Sequence, residues 1–382
     1  MSESPNFDDL DLNRLRRRRS DKWRAYPPDV LPAFVAEMDY DLAPPVRDAL
    51  RAAIDLGDCG YANTAGLPEA FTSLYTERTG HILDPSRVFL VADVMTGVDV
   101  MLDLFTTPEA GVVINPPVYP PFFEHINRSG RRVVEVPLRR GPDRWDLDLA
   151  ELEAAFAAGA RAYLLCNPHN PTGRVLSRSE LLAIARLADQ YGVLVLADEI
   201  HSPLVLPGAV HTPFVSLGEL SAATLTSASK AFNIPGLKCA VIVAGSDSVR
   251  ERLAGLSPIY QFGAGLHGVI ASEAAWLHGG PWLDALIAQL DRVRGVFGKL
   301  MAERLPEAVY LPPSAGYLGW VDLRAYDGPP ASLCLERGRV AVRDGRDFGA
   351  PGEGFIRVTM ATSVPILTEI ADRIATALRP LS

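Results

Sequence analysis

The chain has 382 residues, 48% of them hydrophobic and 22% charged, so it carries apolar material for a sizeable core and the charge content of an ordinary folded protein. Thirty-seven basic against 46 acidic residues leave a formal net charge of −9; such a surface repels nucleic acid and anionic membrane and points to a small-molecule partner. At roughly 100–200 residues per domain, the length suits two domains, or one large domain with an appendage.

The N-terminal stretch is acidic and polar and has no apolar core of a signal peptide. Arg14 and Arg16 to Arg19 form a short basic run, but Asp8, Asp9, Asp11 and Asp21 flank it, so it reads as a solvated arm or the first turns of a helix. Pro27, Pro28 and Pro32 extend the arm. Short β-branched runs then alternate with helical patterns: strands at Val88–Val91, Gly111–Ile114, Arg132–Val136, Ala162–Cys166, Val193–Ala197, Ala223–Ser227 and Ala240–Ala244, with helices at Val98–Leu104, Leu149–Ala157 and Ser179–Gln190 between them. Continuous apolar strands alternating with amphipathic helices predict an α/β fold with a mostly parallel sheet sandwiched by helices. The last third changes character: a long helix from about Trp282 to Leu305, strands at Val309–Leu311, Tyr317–Leu323 and Phe355–Met360, and a terminal helix Val364–Leu378. The expected division is an N-terminal arm (1–45) joined to a small α+β domain (281–382), around a large domain (46–280). No run of about 18 apolar residues occurs, so no membrane helix is expected. Cys59, Cys166, Cys239 and Cys334 are scattered without a CxxC pair; they read as free thiols of a reducing cytoplasm, with no metal site.

Three pieces of the central block carry chemistry. Asn167-Pro168-His169-Asn170-Pro171-Thr172-Gly173 follows a predicted strand and forces a tight turn at its carboxyl end, where open α/β sheets bind ligands. Asn170 can offer an amide donor there. Asp198 ends a nearly all-apolar strand, and a carboxylate so placed needs a cationic partner; taken singly it also reads as a helix N-cap. Lys230, in Ser227-Ala228-Ser229-Lys230, sits among small and apolar residues, the setting of a lysine with a depressed pKa and Schiff-base chemistry, although an isolated lysine is by default a surface residue. Ser227, Ser229 and Lys238 can hold a phosphate. The order Asn170, Asp198, Lys230 places the three groups about one βα unit apart. Pyridoxal 5′-phosphate (PLP) asks for such a set: one partner for its phenolic oxygen, one for its ring nitrogen, one lysine for its aldehyde.

The segments NPHNPTG, ADEIH and SASKAFNIPGLK resemble the fold-type-I PLP-dependent aminotransferase superfamily, and the extended SASKAFNIPGLKCA resembles its cystathionine β-lyase and C–S lyase subgroup. The resemblance runs from Lys22-Trp23 to the terminal helix. It implies PLP as cofactor, with Lys230 carrying it, Asp198 on the ring nitrogen, Asn170 on the phenolic oxygen and Tyr119 stacked on the ring. Val94 and Met95, opening a helix, would donate backbone amides to the phosphate, joined by Ser227, Ser229 and Lys238. Tyr61 matches a tyrosine supplied by a partner subunit, which implies a homodimer with shared active sites. Arg357 matches the arginine that grips the substrate α-carboxylate, and Glu37 stands where the subgroup has an aspartate. Asp93 stands in place of a glycine beside the phosphate, unhelpful unless it points away or caps the helix. Gln289 and Val293 also depart from the subgroup. His201, His211 and Trp320 read as packing or pocket lining.

The implied reaction is β-elimination from cystathionine or another cysteine S-conjugate, giving a thiol, pyruvate and ammonia. Transamination is the alternative, as is a specialised biosynthetic PLP enzyme acting on a bulky cysteine adduct. A PLP-fold transcription regulator would carry an added DNA-binding domain, for which the Arg14–Arg19 run is too short.

Overall fold

The structure, a computed structural model, describes residues 5–257, 260 and 263–379. Its centre is a seven-stranded sheet made of β1 (Val88–Val91), β2 (Gly111–Ile114), β3 (Arg132–Glu135), β4 (Ala160–Cys166), β5 (Leu194–Asp198), β6 (Ala222–Thr226) and β7 (Ala240–Ala244), in the order β1-β7-β6-β5-β4-β2-β3. Only β7 runs antiparallel to its neighbours. Strands β2, β5, β6 and β7 are buried at every residue, which is why they read as unbroken apolar runs rather than alternating ones. One face is covered by helices that include α1 (Val94–Phe105), the other by α2 (Leu149–Ala157) and α3 (Arg178–Tyr191).

Sequence chemistry sets the helix ends. Ser177 and Glu180 form a reciprocal capping box at the start of α3, and Asp148 caps α2 through the amides of Ala150 and Glu151. In α1, Gly97 lets the helix lie directly on the sheet: a Cβ there would come within 2.6 Å of the Leu225 side chain.

A second, antiparallel sheet holds β8 (Val309–Tyr310), β9 (Leu318–Asp322), β10 (Arg343–Asp344) and β11 (Phe355–Thr359) in the order β8-β9-β11-β10. Helices Gly280–Arg304 and Val364–Leu378 pack with it, and their apolar faces join the strands in one core with the N-terminal arm. Two tethers hold that arm. Leu31–Pro32 pairs with Val340–Ala341, and a buried Lys22–Asp39 ion pair of 2.7 Å pins the stretch between them. Arg18 is no solvated residue either, since it donates to the carbonyls of Met38, Asp39 and Tyr40. Among the described residues no helix is long and apolar enough to cross a membrane, and no cluster of side chains is arranged to hold a metal ion.

Candidate active site

Parallel pairing brings the three sequence signals to one place. Cys166, the last residue of β4, is in register with Asp198, the last of β5, and Asp198 with Leu225 near the end of β6. The loops that leave these three neighbouring carboxyl ends carry Asn170, Asp198 and Lys230 into one cavity of about 650 Å³. The NPHNPTG loop is tight: Gly173 has φ +68°, and a Cβ there would run into Pro313.

Asp198 is buried, and among the described residues its carboxylate takes a single hydrogen bond, 3.1 Å from the amide of Ile200 to Oδ1. Removal from water, with Glu199 adding repulsion, pushes its pKa up to about 7 against an ordinary 3.8. Lys230 Nζ donates to the Ala36 carbonyl at 3.0 Å. Burial, aided by Arg357, brings its pKa down to about 8. Arg357, in the middle of β11, is 5% exposed; Nη1 donates to Asn170 Oδ1 at 3.1 Å and Nη2 to the Phe34 carbonyl at 2.9 Å. Its Nε is buried without a partner among the described residues. Burial lowers its pKa to about 10, so it stays a cation at neutral pH. The Arg357 bond orients the Asn170 amide with its oxygen towards the guanidinium, which leaves the NH₂ group to donate elsewhere.

At the other end of the cavity, Asp93 caps α1 by accepting from the Thr96 amide (2.8 Å) and hydroxyl (2.9 Å), and pairs with Lys238 at 2.8 Å. The amides of Val94 and Met95, in the first turn, have no acceptor within the helix. Ser227 Oγ donates to the Cys239 carbonyl and accepts from the Ser229 amide, and both serines line the cavity, as does Tyr119. His201 lines it too, its pKa lowered to about 3 by burial, so it is neutral. His211 instead pairs with buried Glu199 at 3.0 Å, and Trp320 stacks on Phe355 with ring centroids 5.0 Å apart.

Two expected residues lie elsewhere. The Glu37 carboxylate accepts from Ser20 Oγ at 2.6 Å and faces a neighbouring hollow with Arg14, Arg18 and Arg51. Tyr61 is 90% exposed and does not line the cavity of its own chain. Conversely, the carbonyls of Phe34 and Ala36, which hold Arg357 and Lys230, were invisible to side-chain reasoning. So was Tyr317, whose hydroxyl donates to Ala36 at 3.0 Å. Backbone acceptors leave no mark on a sequence.

The cavity thus holds a buried carboxylate and a buried guanidinium, neither with an ionic partner among the described residues, together with a lysine whose pKa both of them influence. A ligand with a cationic ring nitrogen, an aldehyde and a phosphate, followed by a substrate carboxylate, satisfies all of these groups, so the residues fit PLP.

The profile of the family described as aminotransferase class I and II matches residues 35–374. The chain is 36% identical to a cystathionine β-lyase of Corynebacterium glutamicum, covering 96% of this chain and 99% of that one. It is 34% identical to the cystathionine β-lyase PatB of Bacillus subtilis, with 92% and 93% covered. Among solved structures, the PLP-bound C–S lyase of Staphylococcus hominis superposes with a TM-score of 0.89 at 26% identity over 98% of both chains.

Proposed function

Because the chain belongs to the class I and II aminotransferase family, we propose that it is a PLP-dependent carbon–sulfur β-lyase, cleaving cystathionine or another cysteine S-conjugate to a thiol, pyruvate and ammonia. The observation that carries the reading is the pair of buried groups without an ionic partner among the described residues, Asp198 and Arg357, in one cavity with Lys230. The near-full-length relatives named for this activity support the choice of elimination.

In this reading the Val94 and Met95 amides, Ser227, Ser229 and Lys238 hold the phosphate, Asn170 the phenolic oxygen, Asp198 the ring nitrogen, and Tyr119 a ring face. Bound PLP would supply an aldehyde carbon that can link to the Lys230 amine or to the substrate amine, and a ring that can take up the electron pair of a broken Cα bond. The chain's own residues do the rest. Arg357 grips the α-carboxylate as a planar fork and so fixes which Cα bond faces Lys230. Lys230 Nζ takes the Cα proton, and its lowered pKa keeps part of it as free base near neutral pH. Asp198 remains a carboxylate once a cation lies beside it. The Cβ–S bond breaks with its electrons on sulfur, the thiolate takes a proton, and the three-carbon remainder takes up water to give pyruvate and ammonia.

The protein is further read as a cytoplasmic homodimer. Ile54 and Leu56, at the end of helix Pro44–Leu56, and Leu277 of the adjoining helix Leu266–His278 are exposed, as is Tyr61. A second copy covering this apolar face would carry its Tyr61 toward the first copy's phosphate. The arm (1–45), large (46–280) and small (281–382) divisions are proposed as the units that close over the substrate.

Holoenzyme incubated with cystathionine and with an S-alkyl-cysteine, without any 2-oxo acid, tests the reaction. Repeated, equimolar release of thiol and pyruvate is expected. A single turnover that resumes only on adding a 2-oxo acid would make the enzyme an aminotransferase.

A further inference from the structure

Arg343, a cationic side chain of the cavity, is given no part in holding the cofactor or the α-carboxylate. Arg343 lies on the edge strand β10, and its register partner on β11 is Arg357. Directly opposed residues of an antiparallel pair project from the same face, so the two side chains emerge together, and both line the cavity. Like charges directly opposite destabilise a sheet, and the proximity is felt, since Arg343 is one of the charges that hold the Arg357 pKa down. The fold gains nothing for itself from this placement.

The two arginines differ in commitment. Arg357 is buried and bonded to Asn170 and the Phe34 carbonyl at the inner end. Among the described residues Arg343 pairs only with Asp347, four residues on, at 2.7 Å, and the two side chains are 42% and 41% exposed. So exposed a pair contributes little, and an arriving anion can compete for the guanidinium. The inner arginine therefore meets the carboxylate on Cα, and the outer one meets what lies beyond Cβ.

We propose that Arg343 is a specificity-determining residue, selecting substrates whose S-linked group carries an anion, a carboxylate first. The word "cysteine" in the resulting class, anionic cysteine S-conjugates, rests on the β-lyase reading; the anion rests on the paired arginines alone.

The test uses S-(2-carboxyethyl)-L-cysteine and S-(2-carbamoylethyl)-L-cysteine, equal in size and different by one charge. Holoenzyme kcat/KM is read from pyruvate release, and binding of each compound from calorimetry. The acid is expected to be preferred about tenfold, the effect of one modest charge-assisted contact. Arg343→Gln brings the ratio near unity by raising KM for the acid, Arg343→Lys retains part of it, and Asp347→Asn, which frees Arg343, raises it. A wild-type ratio near unity, or an Arg343→Gln enzyme that loses both substrates equally, overturns the proposal. Should neither compound release pyruvate, calorimetry still decides. Tighter binding of the acid that Arg343→Gln abolishes keeps the anion site and removes the β-lyase reading; equal binding removes the anion site whatever the turnover.

Discussion

The two ends of the cavity around Lys230 are balanced in opposite ways. At the α1 end, Asp93 and Lys238 neutralise each other, and the Asp93 side chain also satisfies Thr96. Where β5 and β11 meet the cavity, Asp198 and Arg357 are both buried and neither has an ionic partner among the described residues. The first end is balanced in charge without a ligand, although the Val94 and Met95 amides there lack an acceptor within their helix; the second holds buried groups that are costly to ionise until a ligand arrives. This difference teaches where binding energy is stored: in the end proposed to take the ring nitrogen and the substrate carboxylate, where unmet polar groups would reject molecules that lack the matching charge.

The sharpest break in the comparison is to remove the lysine between the two ends. Lys230→Ala is expected to lower the rate of pyruvate release by at least about 10³-fold, since both the covalent link and the general base are lost. It should also leave a protein in which borohydride fixes no cofactor to the chain. Retention of a reducible covalent link would mean that another lysine carries it. Next in size is Arg357→Gln, expected to cost on the order of 100-fold in kcat/KM, mostly in KM, while cofactor binding survives. Unchanged kinetics would take Arg357 out of the substrate grip.

Asp198 offers a test that needs no turnover. The folded carboxyl keeps its proton to about pH 7, whereas the unfolded one releases it near 3.8. In the cofactor-free protein the group therefore favours the fold at low pH, and that advantage is lost as pH rises from about 4 to about 7. Melting temperatures measured across this window should fall for the wild type relative to Asp198→Asn, and bound cofactor should erase the difference by supplying a counter-charge. Parallel curves without cofactor would mean that the carboxylate is already compensated.

Much of this was legible in the sequence. Short apolar and β-branched runs located all seven strands of the large sheet within two residues, and the spacing of Asn170, Asp198 and Lys230 anticipated their meeting because parallel strands β4, β5 and β6 are sequential neighbours. Arg357 came only from resemblance, since an arginine on a short strand has no local signature of burial. What stayed hidden was set by long-range geometry: the arm carbonyls of Phe34 and Ala36 aimed at Arg357 and Lys230, the buried Lys22–Asp39 pair that holds the arm, and the register that sets Arg343 beside Arg357. The departure at Asp93 was visible, but whether its carboxylate capped the helix depended on a rotamer.

That carboxylate gives the smallest predicted effect and the closest look at the self-balanced end. Asp93→Gly removes an anion that is 37% exposed beside the phosphate position and releases Lys238, itself 56% exposed. Glycine replaces aspartate at an N-cap at a cost of a few tenths of a kcal/mol, and the extended backbone there, φ −156° and ψ 171°, suits any residue. The cofactor-free variant should therefore melt only slightly lower than the wild type. Its affinity for PLP, measured by dialysis against limiting cofactor, should rise by several-fold, because one repulsion is gone and one ammonium is free to meet the phosphate. A weaker affinity would reverse the meaning of the pair: Asp93 would then be holding Lys238 where the phosphate needs it, and the end that looks self-sufficient would be organised for its ligand as strictly as the end that holds Arg357.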